Sequence, residues 1–221
     1  GSSDLGSVVL TGEQGAGKTH ALLMAYNLFA NPDAIKNWLI EHKIKFNKFN
    51  LAIIKNQSKY CTIKAKDLAD KNLWEVIFNK LGAQDLLKRV KEYPERKIIK
   101  KLINREYTAV VIDELEAYFS QLKENNNDLV ESSKEFLKNL LDVAAENNNL
   151  FVFSSIKGEE YELLELVESS NAQLLNLSEF EEESEIINYR LFSSINKNVH
   201  RNEINKIIEE YTNIYQEQKI N

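Results

Sequence analysis

Gly12-Glu13-Gln14-Gly15-Ala16-Gly17-Lys18-Thr19 (GEQGAGKT) is the stretch from which this chain can be read. It fits G-x-x-x-x-G-K-[ST], and its flanks supply the context that pattern needs. The apolar run Val8-Val9-Leu10 before it predicts a short buried strand. The segment Ala21 to Ala30 (ALLMAYNLFA) after it predicts a helix packed on a sheet. Strand, glycine loop and helix together make a cradle for phosphate. Glycines let backbone N–H groups turn inward without a Cβ clash. Those N–H groups and the helix N-terminus carry partial positive charge. The expected contacts run from Gly12, Glu13, Gln14, Gly15, Ala16 and Gly17 to the phosphates of ATP. Lys18 reaches the outer phosphates, and the Thr19 hydroxyl is a ligand for Mg2+. His20 follows directly and is the next residue able to lie near the nucleotide.

Beyond the loop, helical periodicity runs from Lys18 to about Phe29. Asn31-Pro32 breaks it, and Asp33 is placed as the cap of a helix through Ile40. Lys43 to Asn50 reads as a basic loop. Leu51 to Ile54 reads as a second strand and Tyr60 to Ile63 as another short one. A helix is expected from Asp67 to Gly82, with Gly82 as its C-cap. A basic helical stretch follows from Gln84 to Arg105, interrupted near Pro94. Thr108 to Ile112 (TAVVI) is apolar throughout, as in a strand buried on both faces. Asp113-Glu114 stand at its end. A helix begins over Ala117 to Leu122, Glu124 to Asp128 is a loop, and Leu129 to Glu146 is a long amphipathic helix. Leu150 to Phe153 is a strand ending in Ser154-Ser155. An acidic helix over Glu159 to Ser169, a strand over Ala172 to Leu177 and two terminal helices complete the chain.

Strands alternating with helices imply an α/β fold built on a mostly parallel sheet with helices on both faces. Ligands in such sheets bind at the carboxyl ends of the strands. The glycine loop, Asp113-Glu114 and Ser154-Ser155 all fall on that edge. Asp113 is therefore a candidate Mg2+ ligand. Glu114 is a candidate to orient or deprotonate a water, and Ser154 or Ser155 to contact the outer phosphate. Each feature also has a plainer reading: an acidic pair can cap the next helix, and serines are common where strands become loops.

The chain has 221 residues, three histidines and one cysteine. Cys61 alone forms no internal disulfide and suits a reducing, cytoplasmic setting. No zinc-ligand spacing is present. No apolar run reaches the roughly 18 residues of a membrane span. The net charge of −6 is divided unevenly. Residues 1–110 carry 19 Lys and Arg against 11 Asp and Glu, and residues 111–221 carry 9 against 23. That division suggests a basic face and an acidic one, which favours nucleic-acid contact, association of like subunits, or no partner at all. The basic stretch Lys88–Arg105 is the candidate nucleic-acid contact. It has no base-reading module, so any binding there is expected to be weakly sequence-specific.

GEQGAGKT, Asp113-Glu114 and a polar end to a later strand together resemble the AAA+ class of P-loop ATPases. The terminal segment opening EFEEESEIINYRLF is similar to the start of an AAA+ lid. A closer resemblance covers nearly the whole chain. GAGKTHALLMAYNLF, NLWEVIFNKLG, VVIDELEAYF and the YRLF segment follow one another as in a group of large archaeal and bacterial ATPases related to those of phage-exclusion defence. The resemblance implies an ATPase domain over residues 1–178 and a short helical lid over 179–221. It gives Lys18, Thr19, Asp113 and Glu114 the phosphate, metal, metal and water-activating roles, and Ser154 or Ser155 a sensor role.

Three departures qualify it. Members of that group are far longer, so the chain is read as a fragment or a compact virus- or plasmid-borne relative. The usual segment upstream of the first strand, which helps hold adenine, is read as missing. The helix EEYELLELVESS contains no Arg or Lys where AAA+ rings carry an arginine finger. Lys157 is the nearest cation, and Arg190 and Arg201 are candidate lid sensors or surface ion-pair residues. The expected function is a Mg2+-dependent ATPase coupling nucleotide state to DNA or protein assembly. The alternative is a nucleotide-switched binding module with little turnover, resembling a replication initiator or helicase loader. A small-metabolite kinase is a third reading, disfavoured by Glu114 and the lid.

Overall fold

A computed structural model describes residues 6–42, 58–68, 71–103, 106–158 and 160–179. The chain divides into two compact units, Gly1–Ser178 and Glu179–Asn221. The first unit holds the sheet and the candidate site. The basic loop and strand expected over 43–54, and all of the lid expected over 179–221 beyond residue 179, with Arg190 and Arg201, lie outside the described residues, as does Arg105.

Five parallel strands form the sheet: β1 (Ser7–Thr11), β2 (Ser58–Lys64), β3 (Tyr107–Asp113), β4 (Leu150–Ser155) and β5 (Gln173–Asn176). Their order is β2-β3-β4-β1-β5. β4 thus separates the strand that feeds the glycine loop from the strand that ends in Asp113. The register pairs Leu10 with Ser155, Ile112 with Ser154, and Lys64 with Asp113. Those pairs put the ends of β1, β3 and β4 on one edge.

Side chains alternate across a strand, so each strand feeds two cores. Val9, Val110, Ile112, Leu150 and Val152 face one way, into the larger core. This core is closed by α3 (Leu73–Lys80), α6 (Leu115–Asn125) and α7 (Asp128–Glu146). Phe136, Leu137, Leu140 and Leu141 of α7 are fully buried. Each such side chain contributes about 1.5–3 kcal/mol. Val8, Leu10, Ala109 and Val111 face the other way, onto Leu22 and Phe29 of α1 (Lys18–Ala30). The helices α2 (Pro32–Glu41) and α8 (Tyr161–Glu168) complete the longer elements.

Several boundaries differ from the sequence reading. Pro32 opens α2, and Asp33 lies in its first turn rather than capping it. Pro at a first helical position costs nothing, since that N–H is unpaired anyway. The helix expected from Asp67 occupies only α3; Ala65–Asp67 is a single 3-10 turn. Gly82, at φ 70°, stops the helix as expected. The basic stretch is not one helix. It forms the single turns α4 (Gln84–Leu87) and α5 (Arg96–Ile99), with a 3-10 turn over Lys100–Ile103. Pro94 lies between them, and a proline permits no helical hydrogen bond through its nitrogen. The loop expected over Glu124 to Asp128 shrinks to two residues, because Asn126 N–H still bonds Leu122 O at 2.8 Å. Among the described residues no helix is long and apolar enough to cross a membrane.

Candidate functional site

The glycine loop leaves β1 at Gly12 and enters α1 at Lys18. Gly12, Gly15 and Gly17 all have positive φ, at 136°, 90° and 90°. Such backbone suits glycine and few other residues. Gly17 caps α1 in the left-handed region. Among the described residues no side chain caps α1, and no acidic residue sits in its first turn. That N-terminus is therefore open to an anion. Lys18 folds back onto its own loop: its Nζ donates to Gly12 O at 2.6 Å and to Glu13 O at 2.8 Å. Glu13 N–H donates to Ser178 Oγ at 2.9 Å, and a Cβ on Gly12 would lie 2.8 Å from that same oxygen. Glu13, Gln14 and Gly15 are exposed, while Ala16, Gly17 and Lys18 are half-buried. His20 is exposed on α1.

Asp113 joins the three strand ends. Its Oδ2 accepts from Thr19 Oγ1 at 2.9 Å, across 94 residues of chain. Its Oδ1 accepts from Ser155 Oγ at 2.5 Å. Ser155 Oγ in turn accepts the Glu114 N–H at 2.9 Å, so its proton has one direction to go. The two serines part company here. Ser155 shares the α1-facing side of the sheet with Asp113, two residues on from Phe153 and Val111. Ser154 points into the large core, fully buried, with no partner for its Oγ among the described residues. Strand alternation alone puts Ser155 in the site and Ser154 out of it.

Glu114 has φ 61° and ψ 50°, the left-handed region, and no other non-glycine described residue has a positive φ. The turn lets α6 start at once and swings the Glu114 side chain toward β2. There Lys66, in the 3-10 turn after β2, pairs with Glu114 Oε2 at 2.9 Å. The Glu114 carboxylate holds the Lys66 ammonium above its ordinary range. Gln121 Nε2 donates to Lys66 O at 3.0 Å and fixes the same turn. Glu116, two residues further on, is half-buried. Burial pushes its carboxyl up; the nearby backbone N–H groups of Glu116 and Lys157 lower it, Glu114 raises it and Lys18 lowers it.

Sequence reasoning did not single out Lys66, Glu116 or Ser178. Lys66 carried one signal, a cation just past a strand's carboxyl end. Ser178 and Glu116 carried none. Within the basic stretch, Arg96 pairs with Glu146 and lies 3.7 Å from Asp142, and Lys100 lies 3.5 Å from Glu146. Lys88 pairs with Asp85 and Lys97 with Glu95. Half of the expected cationic face is thus engaged with carboxylates of this chain.

The model of the DUF499 N-terminal domain matches residues 5–165. The chain belongs to the DUF499 N-terminal domain family. The matched span carries the glycine loop, Lys66, Asp113 to Glu116 and both serines, and ends before Ser178. No curated protein matches the chain.

Among the described residues no three His, Cys, Asp or Glu side chains gather as a metal site. The Thr19 hydroxyl and the Asp113 carboxylate supply two hard oxygens in contact with each other. That donor set fits Mg2+, which takes few protein ligands and completes its shell with water and phosphate.

Proposed function

We propose that this DUF499 domain is a Mg2+-dependent P-loop ATPase of the AAA+ class, coupling nucleotide state to DNA or protein assembly. The bond between Thr19 and Asp113 carries the reading. It joins the hydroxyl at the head of a glycine loop to a carboxylate two strands away, where a metal–triphosphate would sit. The parallel sheet and a family associated with large ATPase proteins support it.

Phosphoryl transfer asks mainly for positioning and charge neutralisation. The open N–H groups of the loop and of α1 receive the phosphates. Lys18 exchanges two carbonyl oxygens for phosphate oxygens, trading neutral partners for charged ones. Thr19 and Asp113 would hold Mg2+, which would supply further neutralisation of the phosphate charge. Ser155 keeps Asp113 oriented. Glu114 orients the attacking water once it leaves Lys66. The lid over 179–221 belongs to the same proposal.

A specific observation also favours the alternative, a nucleotide-switched binding module with little turnover. Lys66 holds Glu114 in an ion pair, and a base so held is slow to act. Phosphate release from Mg·ATP, with and without DNA, separates the two. For the ATPase, Glu114→Gln is expected to keep Mg·ATP bound and slow turnover by roughly 100-fold or more. Binding without measurable turnover in the wild type supports the switch. Absence of Mg·ATP binding by calorimetry removes both.

A further inference from the structure

We infer that Ser178 is a positioning residue of the phosphate site: its hydroxyl holds the Gly12–Glu13 peptide from outside, in the setting from which Lys18 meets phosphate. This rests on the nucleotide-binding reading and adds to it a residue beyond the matched family span.

One peptide group, between Gly12 and Glu13, is held on both sides. Its carbonyl, Gly12 O, accepts from Lys18 Nζ at 2.6 Å. Its N–H, on Glu13, donates to Ser178 Oγ at 2.9 Å. The peptide is trans, so those two groups point in opposite directions. Lys18 therefore holds one side of it and Ser178 the other. An N–H turned away from Lys18 is turned away from the phosphates that Lys18 serves. Ser178 thus takes a donor that a bound nucleotide does not need. The next carbonyl is engaged as well: Glu13 O accepts from Lys18 Nζ at 2.8 Å and from Ala16 N–H at 3.2 Å. The orientation of the Gly12–Glu13 peptide thus sets where the first turn of the loop and its lysine lie.

Ser178 is itself held in place. Its N–H donates to Asn176 Oδ1 at 3.0 Å. Asn176 ends β5 in register with Thr11, the residue before Gly12. A closed circuit therefore runs from the end of β1 across to the end of β5, and through Ser178 back onto the glycine loop. The approach is close as well as polar, since a Cβ on Gly12 would lie 2.8 Å from Ser178 Oγ and 3.2 Å from Ser178 N. Glu13 and Ser178 are both exposed, so their bond adds little to the stability of the fold. What it restrains is a glycine-rich loop, whose many backbone states must otherwise be given up on binding.

Ser178→Ala removes the acceptor. Ser178→Thr keeps it, and Ser178→Val matches the threonine in shape without its hydroxyl. Two readouts on the full chain test the tie: amide hydrogen exchange at Glu13 in the free protein, and calorimetric affinity for Mg·ATP. The alanine and valine variants are expected to speed exchange at Glu13 and to weaken Mg·ATP, each about fivefold, the ratio for one neutral hydrogen bond. Their melting temperatures are expected to stay close to the wild type. The threonine variant is expected to match the wild type in both readouts. If the alanine variant does not fold, the threonine and valine pair is compared in its place. Unchanged exchange at Glu13 without the hydroxyl, or a threonine variant as impaired as valine, overturns the inference. So does unchanged or tighter Mg·ATP binding without the hydroxyl, the tighter result marking Ser178 as a competitor of the phosphates. Failure of the nucleotide reading looks different: Lys18→Ala then binds Mg·ATP like the wild type, while exchange at Glu13 in the free protein still judges the tie.

Discussion

Lys18 has no carboxylate partner among the described residues; it is held by two loop carbonyls. A phosphate offers it charge as well as oxygen, so the exchange runs downhill. Lys18→Ala is expected to weaken ATP binding by about 1.5–3 kcal/mol, roughly ten- to a hundredfold. Calorimetry reads this directly, and wild-type affinity in the variant rules out the assignment. Glu114 differs in being held by an ion pair, with Lys66 at 2.9 Å. Lys66→Ala frees it, and turnover at saturating Mg·ATP is expected to rise. A fall in turnover instead marks Lys66 as a group that orients Glu114 for the reaction.

Among the elements, the site depends on where β1 and β3 end. β1 is fixed at its start as well as at its glycine loop. Gly6 O accepts from Val152 N–H at 2.8 Å, and a Cβ on Gly6 would lie 1.8 Å from Ala144 O of α7. That neighbour is backbone in a packed helix and cannot swing aside. Gly6→Ala therefore forces β1 and α7 apart. It is expected to cost about 1–3 kcal/mol, as overpacking does. Gly158→Ala, with its nearest atom at 3.5 Å, is the control expected to melt close to the wild type. Equal melting temperatures for the two variants contradict this account of the β1–α7 contact.

Across the molecule, the two charged halves partly neutralise one another. Arg96 and Lys100 reach Glu146 of the acidic helix α7. Arg96 holds the Glu146 carboxyl below its ordinary range. A depressed carboxylate stabilises the fold above its unfolded pKa, and that contribution fades as pH falls through the lower, folded value. The pair is substantially exposed, so its contribution is about a few tenths of a kcal/mol. Wild type is expected to exceed Glu146→Gln in urea midpoint near neutrality, with the gap closing in the acid range below an ordinary glutamate's pKa. A gap that widens on acidification means the pairing does not stabilise the fold. Among the described residues of this stretch, the cations left for a nucleic acid are Arg89, Lys91 and Lys101, all exposed. Proposed contact through this face predicts that changing these three to Glu weakens DNA binding. It also predicts a shallower salt dependence, by about 0.9 in log–log slope per lost phosphate contact. Anisotropy titrations at two salt concentrations read both, and absence of binding at low salt removes the proposal.

Chain-local physics made much of this legible in advance. A glycine loop between an apolar strand and a helix is a property of some twenty consecutive residues, and the structure shows the loop and its helix where the sequence puts them. TAVVI reads as a strand because both its faces are apolar, and the sheet buries both. Period two along β4 already held the choice between Ser154 and Ser155, but using it required knowing which face α1 covers. In the basic stretch the break near Pro94 is legible, but cations and leucines suit longer helices than the single turns that form, with Ile99 and Leu102 packed in the core.

The parallel α/β plan, the glycine loop and the acidic end of a buried strand were therefore written in the chain itself. The partners were chosen by the folded arrangement. Lys66 with Glu114, Thr19 with Asp113 and Ser178 with Glu13 join residues 48 to 165 positions apart. Parallel strands pair through long crossovers, so strand order is a non-local choice that no short window of sequence encodes. With the order β2-β3-β4-β1-β5, Lys66 lies beside the end of β3 and Lys157 on its other side. That placement, rather than any motif, sets Glu114 against Lys66.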